Sequence, residues 1–228
     1  MPDLAAIGQA LSVWAIPVVT AITFHEAAHG FVADRLGDDT ARRQGRVTLN
    51  PIRHVDPFGT VLLPLLLLFA GSPFLFGYAK PVPVAFHRLN DPKRDMVWVA
   101  LAGPAVNIAI AWASALVLHL LAGSEGTLNL WLWDNFENAL LINVVLACFN
   151  MIPIPPLDGG RVLTGILPIP LARRFARVER HGFLILIGVI FLVPLLGRAL
   201  GRVWEPLVMV LRPLVNAVHG LVVTLAFW

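Results

Sequence analysis

The stretch FHEAAHGFVADRLG, Phe24 to Gly37, puts two histidines and a glutamate at the end of an apolar run. His25 and His29 are four residues apart, which on a helix places both imidazoles on one face. Both can then reach a single metal ion. Glu26 follows His25 directly and can reach a water held at that metal. The spacing HExxH therefore reads as two zinc ligands plus a general base. On a soluble helix the same pattern would often be a solvated face. In an apolar helix such side chains need compensating partners.

A catalytic zinc takes a third protein ligand and keeps one position open. Cys148, the only cysteine, is one candidate, but it sits in an apolar run and reads better as a small buried residue. A second candidate lies in FNMIPIPPLDGGRVL, Phe149 to Leu163. Prolines there free backbone groups, and Gly159-Gly160 permits unusual dihedrals. Asp158 beside that broken backbone reads either as an inward ligand or as the cap of the following helix. Asn150 can hydrogen-bond a peptide carbonyl or a developing oxyanion, or pack between helices. Asn107, in LAGPAVN, reads as a lock between helices, with Gly103, Ala105 and Ala109 allowing close approach. His54 reads as a loop hydrogen bond, and His87 and His181 as interfacial. His119 and His219 have no acidic partner in reach by spacing.

The elements carrying these residues belong in a membrane. Of 228 residues, 57% are hydrophobic and 14% charged, against about a quarter charged in soluble domains. Mean hydropathy is +0.76. Apolar runs long enough to span a bilayer occupy roughly 5–35, 95–122, 134–152, 181–197 and 203–226. A sixth, 58–76, is interrupted by Pro64 and by Gly71-Ser72-Pro73. The expectation is an all-α polytopic membrane protein of five to six transmembrane helices, forming a single domain over 1–228. The first apolar run continues into HEAAH without a basic leader, so it reads as an uncleaved helix. No long basic run interleaved with aromatics supports nucleic-acid binding. Nothing in the sequence sets the oligomeric state.

Charge gives the orientation. Arg35, Arg42, Arg43, Arg46 and Arg53 lie in 35–57, and Lys80, Arg88, Lys93 and Arg94 in 77–95. The segment 153–181 carries Arg161, Arg173, Arg174, Arg177 and Arg180, and 123–133 carries none. Positive residues favour the cytoplasmic side. Both 35–57 and 77–95 then face the cytoplasm, and 58–76 must enter and leave on one face. A re-entrant hairpin followed by an extended arm, GYAKPVPVAF, satisfies this. HEAAH then sits near the cytoplasmic end of its helix.

Three pieces together resemble the site-2 protease family of intramembrane zinc metalloproteases. FHEAAHG looks like its zinc helix, NMIPIPPLDGG is similar to its second signature, and Gly103 to Asn107 resembles its small-residue motif. The resemblance implies one zinc ion per chain, held by His25, His29 and Asp158, with Glu26 activating water. It implies that Asn150 lies near the scissile carbonyl, and that a segment near Gly77 to Phe86 pairs with substrate as an added strand. Larger members carry a PDZ insertion or a nucleotide-sensing domain, for which this chain has no room. The expected activity is hydrolysis of peptide bonds in membrane-spanning substrates, in a multi-pass protein of the cell membrane. Its expected partners are transmembrane protein substrates and the lipid bilayer. A divalent-metal transporter would need polar residues along several helices, whereas these cluster at one depth. An inactive scaffold would have no need of Glu26.

Single cysteines introduced across 77–95 should be labelled only from the cytoplasmic side. Labelling from outside would replace the hairpin at 58–76 with a plain spanning helix.

Overall fold

A computed structural model of the protein describes residues 4–63, 65–66, 77–123 and 125–227. Helix α1 (Leu4–Arg35) carries HEAAH in its second half. A short α2 (Thr40–Arg43), a 3-10 turn at Pro51–His54 and a π-helical turn at Pro57–Leu62 follow. The backbone then runs without regular structure through 77–85 to a 3-10 turn at Phe86–Arg88. Five helices complete the chain: α3 (Pro92–Leu121), α4 (Thr127–Asn150), α5 (Asp158–Ile166), α6 (Ile169–Ala199) and α7 (Pro206–Ala226). No strand occurs among the described residues.

Four of these helices, α1, α3, α6 and α7, are long and apolar enough to cross a membrane. α4 has 24 residues and is about 36 Å long at 1.5 Å per residue. It carries Asp134, Asn135, Glu137 and Asn138 in its first half, which keeps it out of that apolar class. It also starts earlier than the apolar run at 134 suggests. α6 departs further from expectation, beginning at Ile169 and not near 181. Pro170 in its first turn suits a helix start. Leu171, Phe175 and Val178 keep a helical period through the arginines, and charge does not stop a helix.

The run 58–76 begins as the π turn, and residues 67–76 lie outside the described residues, so its course through the membrane does too. Gly59 and Thr60, near its start, are bonded to Tyr78 of the arm. The Tyr78 N–H donates to the Gly59 carbonyl at 3.0 Å, and the Thr60 hydroxyl donates to the Tyr78 carbonyl at 2.8 Å.

α3 is the centre of the bundle and touches α1, α4, α5 and α7. Its buried face includes Gly103, Asn107, Ala111, Ser114, Ala115 and Leu118, at spacings of three and four. Small residues on such a face let helix backbones approach closely. Ala105 and Ala109 are exposed, contrary to the sequence reading. At about 100° per residue, each lies two positions off the buried row. Ala111, Ala115 and Leu118 pack with Leu140, Val144 and Cys148 of α4 and with Val222 and Ala226 of α7. Cys148 is thus a core residue. A second cluster, Ile152, Leu157, Leu186 and Ile190, fastens the proline-rich connection to α6.

The arm at 77–85 is tied down by backbone and side-chain groups of the α1–α3 connection. Lys80 N–H donates to the His54 carbonyl at 2.9 Å, and Arg46 donates to the Lys80 carbonyl at 2.7 Å. Fully buried Asp38 accepts from Ala85 N–H at 2.6 Å and Thr40 N–H at 3.1 Å, and from the Thr40 hydroxyl. Burial alone would raise the Asp38 carboxyl. The Thr40 hydroxyl, the Ala85 and Thr40 N–H groups and Arg88 outweigh burial and hold it below its ordinary value.

A depressed folded-state value means the anchor is complete above the ordinary carboxylate range and is lost as pH falls through the folded value. Asp38→Asn should therefore cost on the order of 2 kcal/mol at neutral pH. The gap to wild type should close in acid, read as unfolding midpoints against pH. A pH-independent gap would refute the charged anchor.

Candidate active site

Toward the end of α1 and near the middle of α3, the two helices face each other through two pairs of residues, each pair one turn apart. His25 and His29 lie on α1, Gly103 and Asn107 on α3. A Cβ at Gly103 would overlap His29 Nε2 and His25 Cε1, so only glycine leaves room for the two rings. The third component arrives from the proline-rich connection. Leu157, not Asp158, occupies the N-cap of α5, and Asp158 is the first residue of the helix. A Cβ at Gly159 would overlap the Met151 carbonyl. That close turn delivers the Asp158 carboxylate to the histidines.

The geometry is tight. His25 Nε2 and His29 Nε2 are 3.0 Å apart, and Asp158 Oδ2 lies 3.2 Å from the first and 3.3 Å from the second. His25 is 7% exposed, His29 6% and Asp158 4%, which leaves little room for water to intervene. Protonation of the rings follows from their other nitrogens. His29 Nδ1 is 2.7 Å from the Val99 carbonyl, which can only accept, so Nδ1 carries the proton. His25 Nδ1 is 2.6 Å from Asn107 Oδ1 and donates likewise. Both Nε2 atoms then present lone pairs, and Asp158 Oδ2 makes no hydrogen bond. Three lone-pair atoms converging without a donor fit a cation. Ligands about 2.0–2.1 Å from a tetrahedral zinc stand about 3.3–3.4 Å apart, close to these separations. These three form the one His/Cys/Asp/Glu group among the described residues with such a geometry.

Glu26 shares a cavity of about 440 Å³ with this trio, Tyr78, Asn150 and Arg161. Its Oε2 accepts from Val82 N–H at 2.7 Å. Pro81 and Pro83 have no N–H, so Val82 offers the only donor in that part of the arm. Asn150 lines the cavity with its Nδ2 donating to the Leu146 carbonyl at 3.0 Å. His54 makes the expected loop bond, to the Thr48 carbonyl at 2.9 Å, and His119 packs against Phe227.

Asn107 is the residue whose reach the sequence reading missed. It does lock helices, donating to the Ala21 carbonyl of α1 at 3.2 Å and to Asn143 Oδ1 of α4 at 2.7 Å. It also holds a ring of the trio. The available signal was its spacing of four from Gly103, matching that of the two histidines.

Residues 125–195, which contain Asn150 and Asp158, match Peptidase family M50. A Bacillus subtilis protein named "Putative zinc metalloprotease YwhC" is 39% identical over 184 residues, covering 79% of this chain and 80% of that protein. The chain belongs to Peptidase family M50, the site-2 protease family. "Putative zinc metalloprotease Rip2" of Mycolicibacterium smegmatis is 30% identical over 177 residues, covering 78% of this chain and 65% of that protein. No solved structure matches.

Gly103→Val should weaken zinc binding at least about tenfold, the scale of losses when support around a metal ligand is disturbed. Ala105→Val, on the exposed face of α3, should leave it unchanged. Equal affinities in a chelator competition would disprove the packing of Gly103 against the rings.

Proposed function

We propose that this family member is a zinc metalloprotease that cuts membrane-spanning substrates within or at the edge of the bilayer. The reading rests on the convergence of His25, His29 and Asp158, 3.0–3.3 Å apart, with Glu26 in the same cavity. His25 Nε2, His29 Nε2 and Asp158 would hold one zinc ion. When bound, zinc supplies Lewis acidity toward the scissile carbonyl and brings the pKa of a water down to about 7. Glu26 would act as general base, taking a proton from the attacking water and passing it to the leaving amine. Asn150 uses one N–H on the Leu146 carbonyl, which leaves a second for the developing oxyanion.

The substrate must unwind, because a helix hides its peptide bonds. The arm at 77–85 has no regular secondary structure, meets Glu26 through the Val82 N–H, and is the segment to which an added strand would pair. The bonds of Gly59 and Thr60 to Tyr78 support placing the turn at Pro57–Leu62 and the arm at one face of the protein. With Lys80 in the arm and Arg88, Lys93 and Arg94 after it, that face is cytoplasmic. The active site then opens toward the cytoplasm, and the chain works as one membrane domain whose partners are transmembrane substrates and lipid.

Glu26→Gln should lower cleavage of a membrane-spanning test substrate by about 10²–10⁴-fold, the usual contribution of a general base, with bound zinc unchanged. Asp158→Ala should lower zinc content. Zinc lost from Glu26→Gln would make Glu26 a ligand, and full zinc in Asp158→Ala would remove Asp158 from the ligand set.

A further inference from the structure

We propose that Asn107 and Asn143 are positioning residues that set the tautomer of His25, through a hydrogen-bond chain directed from α4 to the metal centre. The chain starts at a group that cannot reverse. Asn143 Nδ2 faces the Ala139 carbonyl at 2.8 Å, and a carbonyl only accepts. Asn143 Oδ1 must therefore be the end that meets Asn107, at 2.7 Å. The Asn107 amide is pinned twice, since its nitrogen faces both that oxygen and the Ala21 carbonyl. Only Asn107 Oδ1 remains for His25 Nδ1, and it must accept. The His25 proton is held on Nδ1, and Nε2 keeps its lone pair toward Asp158 and His29.

The two histidines differ in how this is secured. His29 uses the Val99 carbonyl, a backbone group of fixed polarity. His25 uses a side-chain amide, which a half-turn would convert from acceptor to donor. A flipped Asn107 would push the proton onto Nε2 and block ligation. Asn107 and Asn143 are both fully buried, so water cannot supply the missing polarity. Asn143 thus controls a ligand that it does not touch, and it lies on a different helix from either histidine.

The proposal rests on His25 being a zinc ligand, and the test separates the two. Full-length protein in detergent is titrated with zinc against a chromophoric chelator, and ring-nitrogen NMR of the metal-free protein reports the His25 tautomer. Wild type should show the Nδ1–H form. Asn107→Leu should weaken zinc about 10–100-fold, as loss of a partner behind a metal ligand does. Asn143→Leu should also weaken zinc and produce a mixture of tautomers. Leu140→Ala, a core change on α4 without polar contacts, should lower thermal stability but leave zinc affinity and tautomer unchanged. If Leu140→Ala weakens zinc as much as Asn143→Leu, the asparagines are merely structural. An Nε2–H form in wild type, or wild-type zinc affinity in both asparagine variants, overturns the proposal while leaving the ligand assignment intact. Unchanged zinc affinity in His25→Ala overturns the ligand assignment itself.

Discussion

Three atoms that repel one another, two imidazole nitrogens and a carboxylate oxygen, are held within 3.3 Å inside an apolar bundle. Nothing in lipid or in the helix cores would bring them there. Burying unpaired polar groups costs several kcal/mol or more unless a cation or a hydrogen-bond network compensates. Much of the packing around the centre answers that requirement. α3 presents Gly103 where the rings need space and Asn107 where one ring needs an acceptor. The proline-rich connection gives up helical structure, then turns tightly at Gly159 to bring in the carboxylate. Leu186 and Ile190 of α6 pack with Ile152 and Leu157 and fasten that connection.

Parts of this design were legible in the residues. HExxH carries its own geometry, because a spacing of four on a helix is a statement about direction. Asp158 was visible as an acid beside broken backbone, but its two readings could not be separated locally. A cap and a ligand look alike until the partner helix is known. Helix limits failed where hydropathy was used to find them. α6 starts at Ile169 because periodicity and an early proline start helices, whereas the apolar count begins only once the arginines end. Ala105 and Ala109 failed for a related reason, since residue size was read without rotational phase. Asn107 was the hardest. Its spacing of four from Gly103 marks a shared face, but its contact with His25 depends on which helices pair and at what height.

The polar network accounts for two asparagines of α4, Asn138 and Asn143. An amide has both a donor and an acceptor and no charge, so it can bridge helices in a medium that penalises ions. Asn143 and Asn107 use this to carry hydrogen-bond polarity from one backbone carbonyl toward the centre. Asn138 does similar work higher on α4, donating to the Val13 carbonyl of α1 at 3.1 Å. A leucine at either place would pack, but it could not tell the neighbouring helix which way to face.

The arm adds a constraint of a different kind, because it is tied to Glu26, the base in the proposed mechanism. Val82 N–H holds Glu26, while Arg46, His54 and Asp38 hold the arm's flanks from the α1–α3 connection. Pro81 and Pro83 leave that edge poor in donors, and prolines discourage indiscriminate strand pairing. If the arm receives an unwound substrate as proposed, its register along the arm is also its register against Glu26. One rigid segment would then locate both the peptide bond and the group that activates water against it. Precision in the chemistry would come from anchors well outside the metal site, and loosening any of them would misplace substrate and base together.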